Sequence, residues 1–225
     1  VVGAFYSDVE TANSSVGTRY LDGAALTPPL SLEINNTSES IAFFGDVAYQ
    51  INDQLTVAIG TRYFEDERTE DISAFGVSND GEFDKLSSKV SLSYALTESA
   101  NLYFNVSEGF RSGGFNPFST INYEPETVIS YELGSKASLY DGRLGAEAAI
   151  FHSKYSDYQE QTIDPGTGFP VTGNPGEAEI KGVEWSTQLK ITEKFSVGFN
   201  GNITDAEFTK IESDIAAVKV GDPLY

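Results

Sequence analysis

Apolar and polar residues alternate along most of this chain. In residues 55–63, for example, the odd positions include Leu55, Val57, Ile59 and Tyr63, and they alternate with the small or polar residues Thr56, Gly60 and Arg62. Successive side chains of a β-strand point to opposite faces, so this pattern indicates strands with one apolar and one mixed face. Seven segments follow the rule clearly. The chain therefore predicts about nine strands of roughly ten to fifteen residues.

The connections between these segments are alternately short and long. Short ones fall at residues 52–54, 97–99, 141–142 and 192–194, and long polar ones at residues 11–36, 69–82, 111–125 and 161–176. Asn52-Asp53 and Asp141-Gly142 tolerate the positive φ of tight hairpin turns. The prolines and paired glycines fall in the long connections, and we expect none inside a strand. Short turns at one edge and long loops at the other are typical of an antiparallel outer-membrane β-barrel.

The composition allows such a barrel but no transmembrane helix. The 225 residues are 40% hydrophobic, and no run of eighteen apolar residues occurs. The mean hydropathy is −0.24. A membrane-spanning strand turns only every second residue toward lipid, so a low mean hydropathy is compatible with a barrel. The sequence is read as all-β, a partial antiparallel transmembrane β-barrel.

Charge and chemistry-bearing residues exclude several functions. The 14 Lys and Arg against 34 Asp and Glu give a net charge of −20, which argues against a nucleic-acid partner. The chain has no cysteine, and its one histidine, His152, rules out a zinc site with several imidazoles. No G-x-S-x-G motif supports a catalytic serine. We therefore expect no enzyme activity, no catalytic residue, no bound metal and no cofactor.

Aromatic residues cluster toward the ends of the predicted strands. Amphipathic rings are enriched where a membrane protein leaves the hydrocarbon, so these positions predict interfacial girdles. The candidate membrane-interface aromatics are Tyr49, Tyr63, Tyr94, Tyr103 and Trp185. A soluble β-sandwich, with the same rings in its core, is the alternative.

Three motifs in the second half carry a family resemblance. The residues are Tyr103, Ser107, Gly109, Phe110, Arg111, Gly113 and Gly114; then Glu126, Tyr131, Glu132, Gly134 and Lys136; then Lys181, Gly182 and Glu184. In this order and spacing they resemble the barrel of TonB-dependent outer-membrane receptors, convincingly over residues 86–208. The resemblance implies a barrel of about twenty-two strands filled by an N-terminal plug. It also implies contact with the TonB energy-coupling complex.

The sequence contains no segment resembling the plug, and it ends in what looks like an extracellular loop. An odd number of strands that begins on the short-turn side cannot close by antiparallel pairing, and open edges are not tolerated in lipid. We therefore expect residues 1–225 to be one partial β-barrel domain, a fragment without plug or closing strands.

The resemblance implies a receptor in the bacterial outer membrane that binds and actively imports a scarce nutrient, with a ferric siderophore or similar chelate favoured. The expected partners are outer-membrane lipid, the small-molecule nutrient or metal chelate, and the TonB complex through a plug. A passive porin or structural outer-membrane barrel is one alternative. A soluble carbohydrate-binding sandwich is another.

Two groups of site residues follow. The candidate extracellular ligand loop carries Arg111, Phe115, Asn116, Phe118 and Tyr123, and the alternative is a loop that packs on itself. Glu132, Lys136 and Glu184 are predicted to face the lumen, because they alternate with apolar neighbours. They are candidates for an ionic set that holds the plug, or for pairs that order the barrel wall.

Overall fold

A computed structural model describes residues 1–17, 20–21, 24–25, 30–117, 119, 122–164, 168–213 and 218–224. The strands are β1 (Val2–Gly17), β2 (Tyr20–Leu21), β3 (Ala24–Ala25), β4 (Leu30–Gln50), β5 (Leu55–Ile72), β6 (Val77–Thr97), β7 (Ala100–Arg111), β8 (Glu126–Leu139), β9 (Leu144–Ile163), β10 (Pro170–Thr192) and β11 (Phe195–Ile211). Over these ranges the structure contains no helix long and apolar enough to cross a membrane.

Nine strands form one sheet in the order β1-β4-β5-β6-β7-β8-β9-β10-β11. Every neighbouring pair is antiparallel. The two short strands β2 and β3 pair only with each other. This architecture confirms the prediction of about nine antiparallel strands in a partial barrel.

The four short connections are confirmed as tight turns at one edge of the sheet. Asp141 and Gly142 have the expected positive φ, at 55° and 78°. The turn at Asn52 is made differently: its Oδ1 accepts hydrogen bonds from the backbone N–H of Gln54 and Leu55, both at 2.9 Å. A side-chain oxygen, rather than positive φ, therefore shapes the turn between β4 and β5.

Two of the predicted long connections are wrong, because the strands continue into them. Residues 69–82 form strand except for a four-residue turn at 73–76. The described residues of 161–176 are also mostly strand. Pro170 begins β10, and Pro175 lies inside it, where shifts of register interrupt the pairing with β9. The ends of 11–36 belong to β1 and β4 as well, and Pro28-Pro29 and Pro165-Gly166 lie outside the described residues.

The two faces of the sheet differ in chemistry. In β6 the even-numbered apolar side chains are exposed, Leu86 at 60% and Leu96 at 47%, whereas most odd positions are half-buried. The apolar face is therefore the convex one. We call it the outer wall and the opposite face the inner wall. Val57 and Leu92 are direct partners on the outer wall, and Tyr131 and Trp185 share its alternation.

One row of direct strand partners crosses the outer wall from β11 to β4, and every member is apolar. It consists of Ile203, Val183, Ile150, Leu133, Phe104, Leu92, Val57 and Tyr49. An apolar surface on the convex side suits contact with hydrocarbon, since nothing in the sheet covers it.

The apolar band ends at a sharp limit on its long-loop side. Just beyond the limit, the next outward position carries an ionisable residue in seven strands: Asp8, Glu39, Glu65, Asp84, His152, Lys181 and Asp205. We call this charged zone the outer collar. Tyr63 and Glu65 mark the change within β5, so residues beyond Glu65 stand outside the hydrocarbon layer.

Candidate functional site on the inner wall

The predicted lumen-facing charges lie together on the inner wall. Glu132 accepts a hydrogen bond from Asn105 Nδ2 at 3.5 Å. Lys136 Nζ lies 3.3 Å from Glu147 Oε2, and both side chains are about half exposed. The ion-pair partner of Lys136 is thus Glu147 on β9, a residue that the sequence did not single out. Glu184 lies across from Ala149 on the same face. An exposed pair of this kind stabilises a fold by less than about 1 kcal/mol, so these charges remain available to another surface.

Tyr103 was predicted at the membrane interface, and the structure contradicts this placement. Lys136 Nζ lies 5.8 Å from the centre of its ring, which places Tyr103 on the inner wall. The ring covers Gly134 of the neighbouring strand, where a side chain would collide with it. Strand parity explains the error: Tyr103 alternates with Leu102 and Phe104, which hold the outward positions.

The other interface candidates lie on the outer wall. Tyr49 and Tyr94 are exposed near the short turns, and the Tyr94 hydroxyl donates to Gln54 Oε1 at 3.2 Å. Tyr63 stands at the collar and donates to Glu65 Oε2 at 3.0 Å. The Trp185 ring lies 6.4 Å from that of Phe199, between their centres. Their interfacial role stays a prediction.

The connection between β7 and β8 folds inward and lies against the inner wall. Asn116 is only 5% exposed. Its Nδ2 donates to Thr172 O, and its Oδ1 accepts from Thr172 N, each at 2.8 Å. The amide therefore completes the edge of β10 above the point where β11 ends, as a neighbouring strand would.

Two more polar side chains fasten the same loop to β9 and β10. Buried Gln159 donates from Nε2 to Ser112 O at 2.9 Å and to Glu124 O at 3.0 Å. Asn174 accepts from Glu124 N at 2.8 Å and donates to Glu124 O at 3.1 Å. The contacts of Gln159 satisfy backbone carbonyls that are buried or partly buried, whereas those of Asn174 are exposed.

The opposite side of the loop is held by β5. Arg68 Nη1 donates to Gly113 O at 3.0 Å, while its Nε lies 2.6 Å from Asp66 Oδ2. Asp66 is 1% exposed and also accepts from Ser38 at 2.7 Å and Ser40 at 3.0 Å. The loop is thus anchored on β5 and on β10, and it crosses the inner side of the strands between them.

The pKa of Asp66 reflects this setting above the membrane limit. Burial raises the pKa, but hydrogen bonds from Ser38, Ser112 and Arg68, together with the positive charge of Arg68, outweigh it and lower the pKa overall. Asp66 therefore remains ionised and keeps Arg68 oriented toward the loop.

The predicted ligand loop is therefore mostly packed on the protein itself. Asn116 is an anchor whose amide is fully engaged, and Tyr123 pairs through its backbone with Gly114. Phe115 packs close to Gly81 of β6. Arg111, at the end of β7, is exposed, and Phe118 lies outside the described residues. These contacts agree with the alternative prediction, a loop that packs on the protein itself.

A cleft on the inner wall below this loop was missed by the sequence reasoning. Its volume is about 1010 Å³, and the residues that define it are Phe5, Phe44, Arg62, Phe64, Lys89 and Phe110. We call it the aromatic cleft. Arg62 Cζ lies 4.9 Å from the centre of the Phe64 ring and 6.0 Å from that of Phe5.

The cleft also contains a closed ion pair and an aromatic contact. Lys89 Nζ lies 2.7 Å from Asp46 Oδ1, across Gly60, which leaves no room for a side chain beneath the pair. Phe64 and Phe110 meet edge to face, with ring centres 6.0 Å apart. Within the described ranges no three His, Asp or Glu side chains are grouped to hold a metal ion.

Known proteins share this architecture. The chain is 26% identical over 193 residues to the pesticin receptor of Yersinia enterocolitica, covering 81% of this chain and 28% of the receptor. It is 29% identical over 198 residues to the metal-pseudopaline receptor CntO of Pseudomonas aeruginosa, covering 83% and 27%. The crystal structure of the ferric yersiniabactin uptake receptor FyuA of Yersinia pestis matches with a TM-score of 0.71 at 23% identity, covering 92% and 32%.

The chain thus spans between a quarter and a third of the length of these proteins. The family model for the TonB dependent receptor-like β-barrel matches residues 2–224, nearly the whole chain. The apolar outer wall, the charged inner wall and the inward loop are the parts of such a barrel that lie in this segment. The chain belongs to the TonB-dependent receptor β-barrel family of the bacterial outer membrane.

Proposed function

We propose that this chain is barrel wall of a receptor that binds a chelated nutrient outside the cell and imports it with energy delivered through TonB. A ferric siderophore or a similar metal chelate is the favoured cargo. Family membership over residues 2–224 carries the proposal. The names of its relatives, a pesticin receptor and a metal-pseudopaline receptor, support it.

The charges on the inner wall support the proposal that the lumen holds both a plug and a ligand. Glu132, Lys136, Glu147 and Glu184 offer water-accessible charges of both signs, which suit reversible polar contacts with a plug. We propose that residues 1–225 form one continuous run of barrel strands around that plug. A permanently packed apolar lumen would not permit rearrangement during transport.

A passive porin shares the alternating walls, so energy dependence is the deciding property. The complete receptor would be produced in a bacterium lacking its own siderophore receptors, and uptake of radiolabelled ferric chelates would be measured. Active import predicts uptake that stops when the proton gradient is collapsed or TonB is deleted. Uptake that continues unchanged after both treatments would refute the proposal.

A further inference from the structure

The aromatic cleft contains a cation that has no acidic partner in the described structure. Six other Lys and Arg side chains pair with carboxylates, namely Arg68, Lys89, Lys136, Lys154, Lys181 and Lys210. Arg111, which also lines the cleft, makes no such pair in the described residues, and neither does Arg62, although the chain has a net charge of −20. Arg62 contacts ring faces instead. Contact with aromatic rings leaves the N–H edges of a guanidinium free for an external anion.

The other walls of the cleft favour a flat ring. Phe5 is 47% exposed and Phe44 is 37% exposed, and both face the inner side of the barrel rather than lipid. Phe64 and Phe110 complete the lining at an edge-to-face contact. Exposed aromatic side chains that converge with a free cation bind aromatic anions better than aliphatic ones, because stacking adds to the charge attraction.

Arg62 is the lining cation that lies against ring faces, and Arg111 at the end of β7 is a second cation in the lining. Glu108 also lines the cleft, and its Oε2 accepts a hydrogen bond from Ser88 N at 3.0 Å.

Lys89 is already neutralised by Asp46 at 2.7 Å. Arg68 also lines the cleft but is bound to Asp66 and to Gly113 O. The volume of about 1010 Å³ is at the upper end of the range for small-molecule sites.

We infer that the aromatic cleft is a lumen-side binding site for an anionic ligand that carries an aromatic ring, such as a chelate built from phenolate or aryl carboxylate groups. Arg62 receives the negative charge, and Phe64 stacks on the ring. The inference rests on the proposed function, because it places the ligand on the import path below the anchored loop. The competing occupant is a segment of the plug.

The test uses the complete receptor in detergent and two ferric probes, dihydroxybenzoate and citrate, of which only the first is aromatic. Binding would be measured by calorimetry for Arg62→Gln, Phe64→Leu and the control Arg143→Gln. Arg143 lies at the short-turn edge and donates to Ile191 O at 3.1 Å, outside the cleft. The heat-dependent gel migration of each variant would report its folding.

We expect Arg62→Gln to weaken both probes by about tenfold, since one charged hydrogen-bonding group is lost. Phe64→Leu should weaken only the dihydroxybenzoate complex, by about fivefold, and Arg143→Gln neither. Three results would overturn the inference: unchanged binding in Arg62→Gln, equal losses for both probes in a Phe64→Leu variant that folds normally, or no binding of either probe by the unmodified receptor. The last result leaves the proposed function intact if TonB-dependent uptake of another chelate persists.

Discussion

Asn116 and Thr172 form a paired contact in which one side-chain amide satisfies both backbone groups of a strand edge, at 2.8 Å each. The two residues are 56 positions apart in the chain. This contact ties the inward loop to β10 and fixes how far the loop reaches across the inner wall.

Replacing Asn116 by Ala should release the β10 end of the loop. Two partly buried backbone groups lose their partners, at a cost of about 1 to 3 kcal/mol. Hydrogen exchange of Thr172 N–H in the complete receptor would accelerate, while exchange within β8 would not change. Asn202→Ala, on the exposed part of β11, serves as the control. Slow exchange at Thr172 in Asn116→Ala would show that the amide is dispensable.

Acid should loosen the β5 end of the same loop. The pKa of Asp66 is lowered in the folded protein, although burial opposes the shift. Its contribution is therefore present above the ordinary aspartate pKa of about 3.9, and it is lost as the pH falls through the lower, folded-state pKa. Exchange of loop amides should stay constant near neutral pH and increase only in strong acid. Asp66→Asn should show the fast exchange already at neutral pH, and a loop equally protected in that variant would contradict the anchoring role.

The two walls should differ in how well they tolerate a charge. Leu92→Lys places an ammonium group in the apolar band and should destabilise the barrel by about 2 to 4 kcal/mol. Ser91→Lys changes the preceding residue, whose side chain faces the inner wall, and should have little effect. Urea unfolding of the complete receptor in lipid vesicles measures both. Equal effects would mean that the walls have been assigned wrongly.

Gly134 should tolerate no larger residue while Tyr103 covers it. Gly134→Val forces the ring aside and should cost about 1 to 3 kcal/mol. Combining it with Tyr103→Ala should cost at least about 0.5 kcal/mol less than the sum of the two single changes. The same unfolding assay tests this, and strict additivity would show that ring and glycine do not interact.

Alternation predicted the strands well where lipid lies on one side. Val57 and Leu92 could be assigned to the outer wall because hydrocarbon admits only apolar side chains there. Above the limit at Tyr63 both faces meet water, so no alternation is required. For this reason residues 69–82 were predicted as a loop, although they mostly continue the strands.

The inner-wall contacts depend on register between distant strands, which a single sequence does not provide. Glu147 could not be named as the partner of Lys136 before the pairing of β8 and β9 was known. The inward aromatic rings of the cleft could have been predicted from a local sequence pattern. Phe43-Phe44 and Tyr63-Phe64 are doubled aromatics, and in a strand one ring of each pair must face inward.

The apolar row across the outer wall has a geometric consequence. It starts at Ile203, at the collar of β11, and ends at Tyr49, beside the short turn of β4. On β4 the last apolar outward residue before the collar is Ile41, eight residues from Tyr49. The row is therefore lowered by about one residue at each of the seven steps between neighbouring strands. With about 3.3 Å per residue and about 4.8 Å between strands, the angle between the row and the collar is about 40°. The strands lean by that angle from the membrane normal, as expected for a transmembrane barrel.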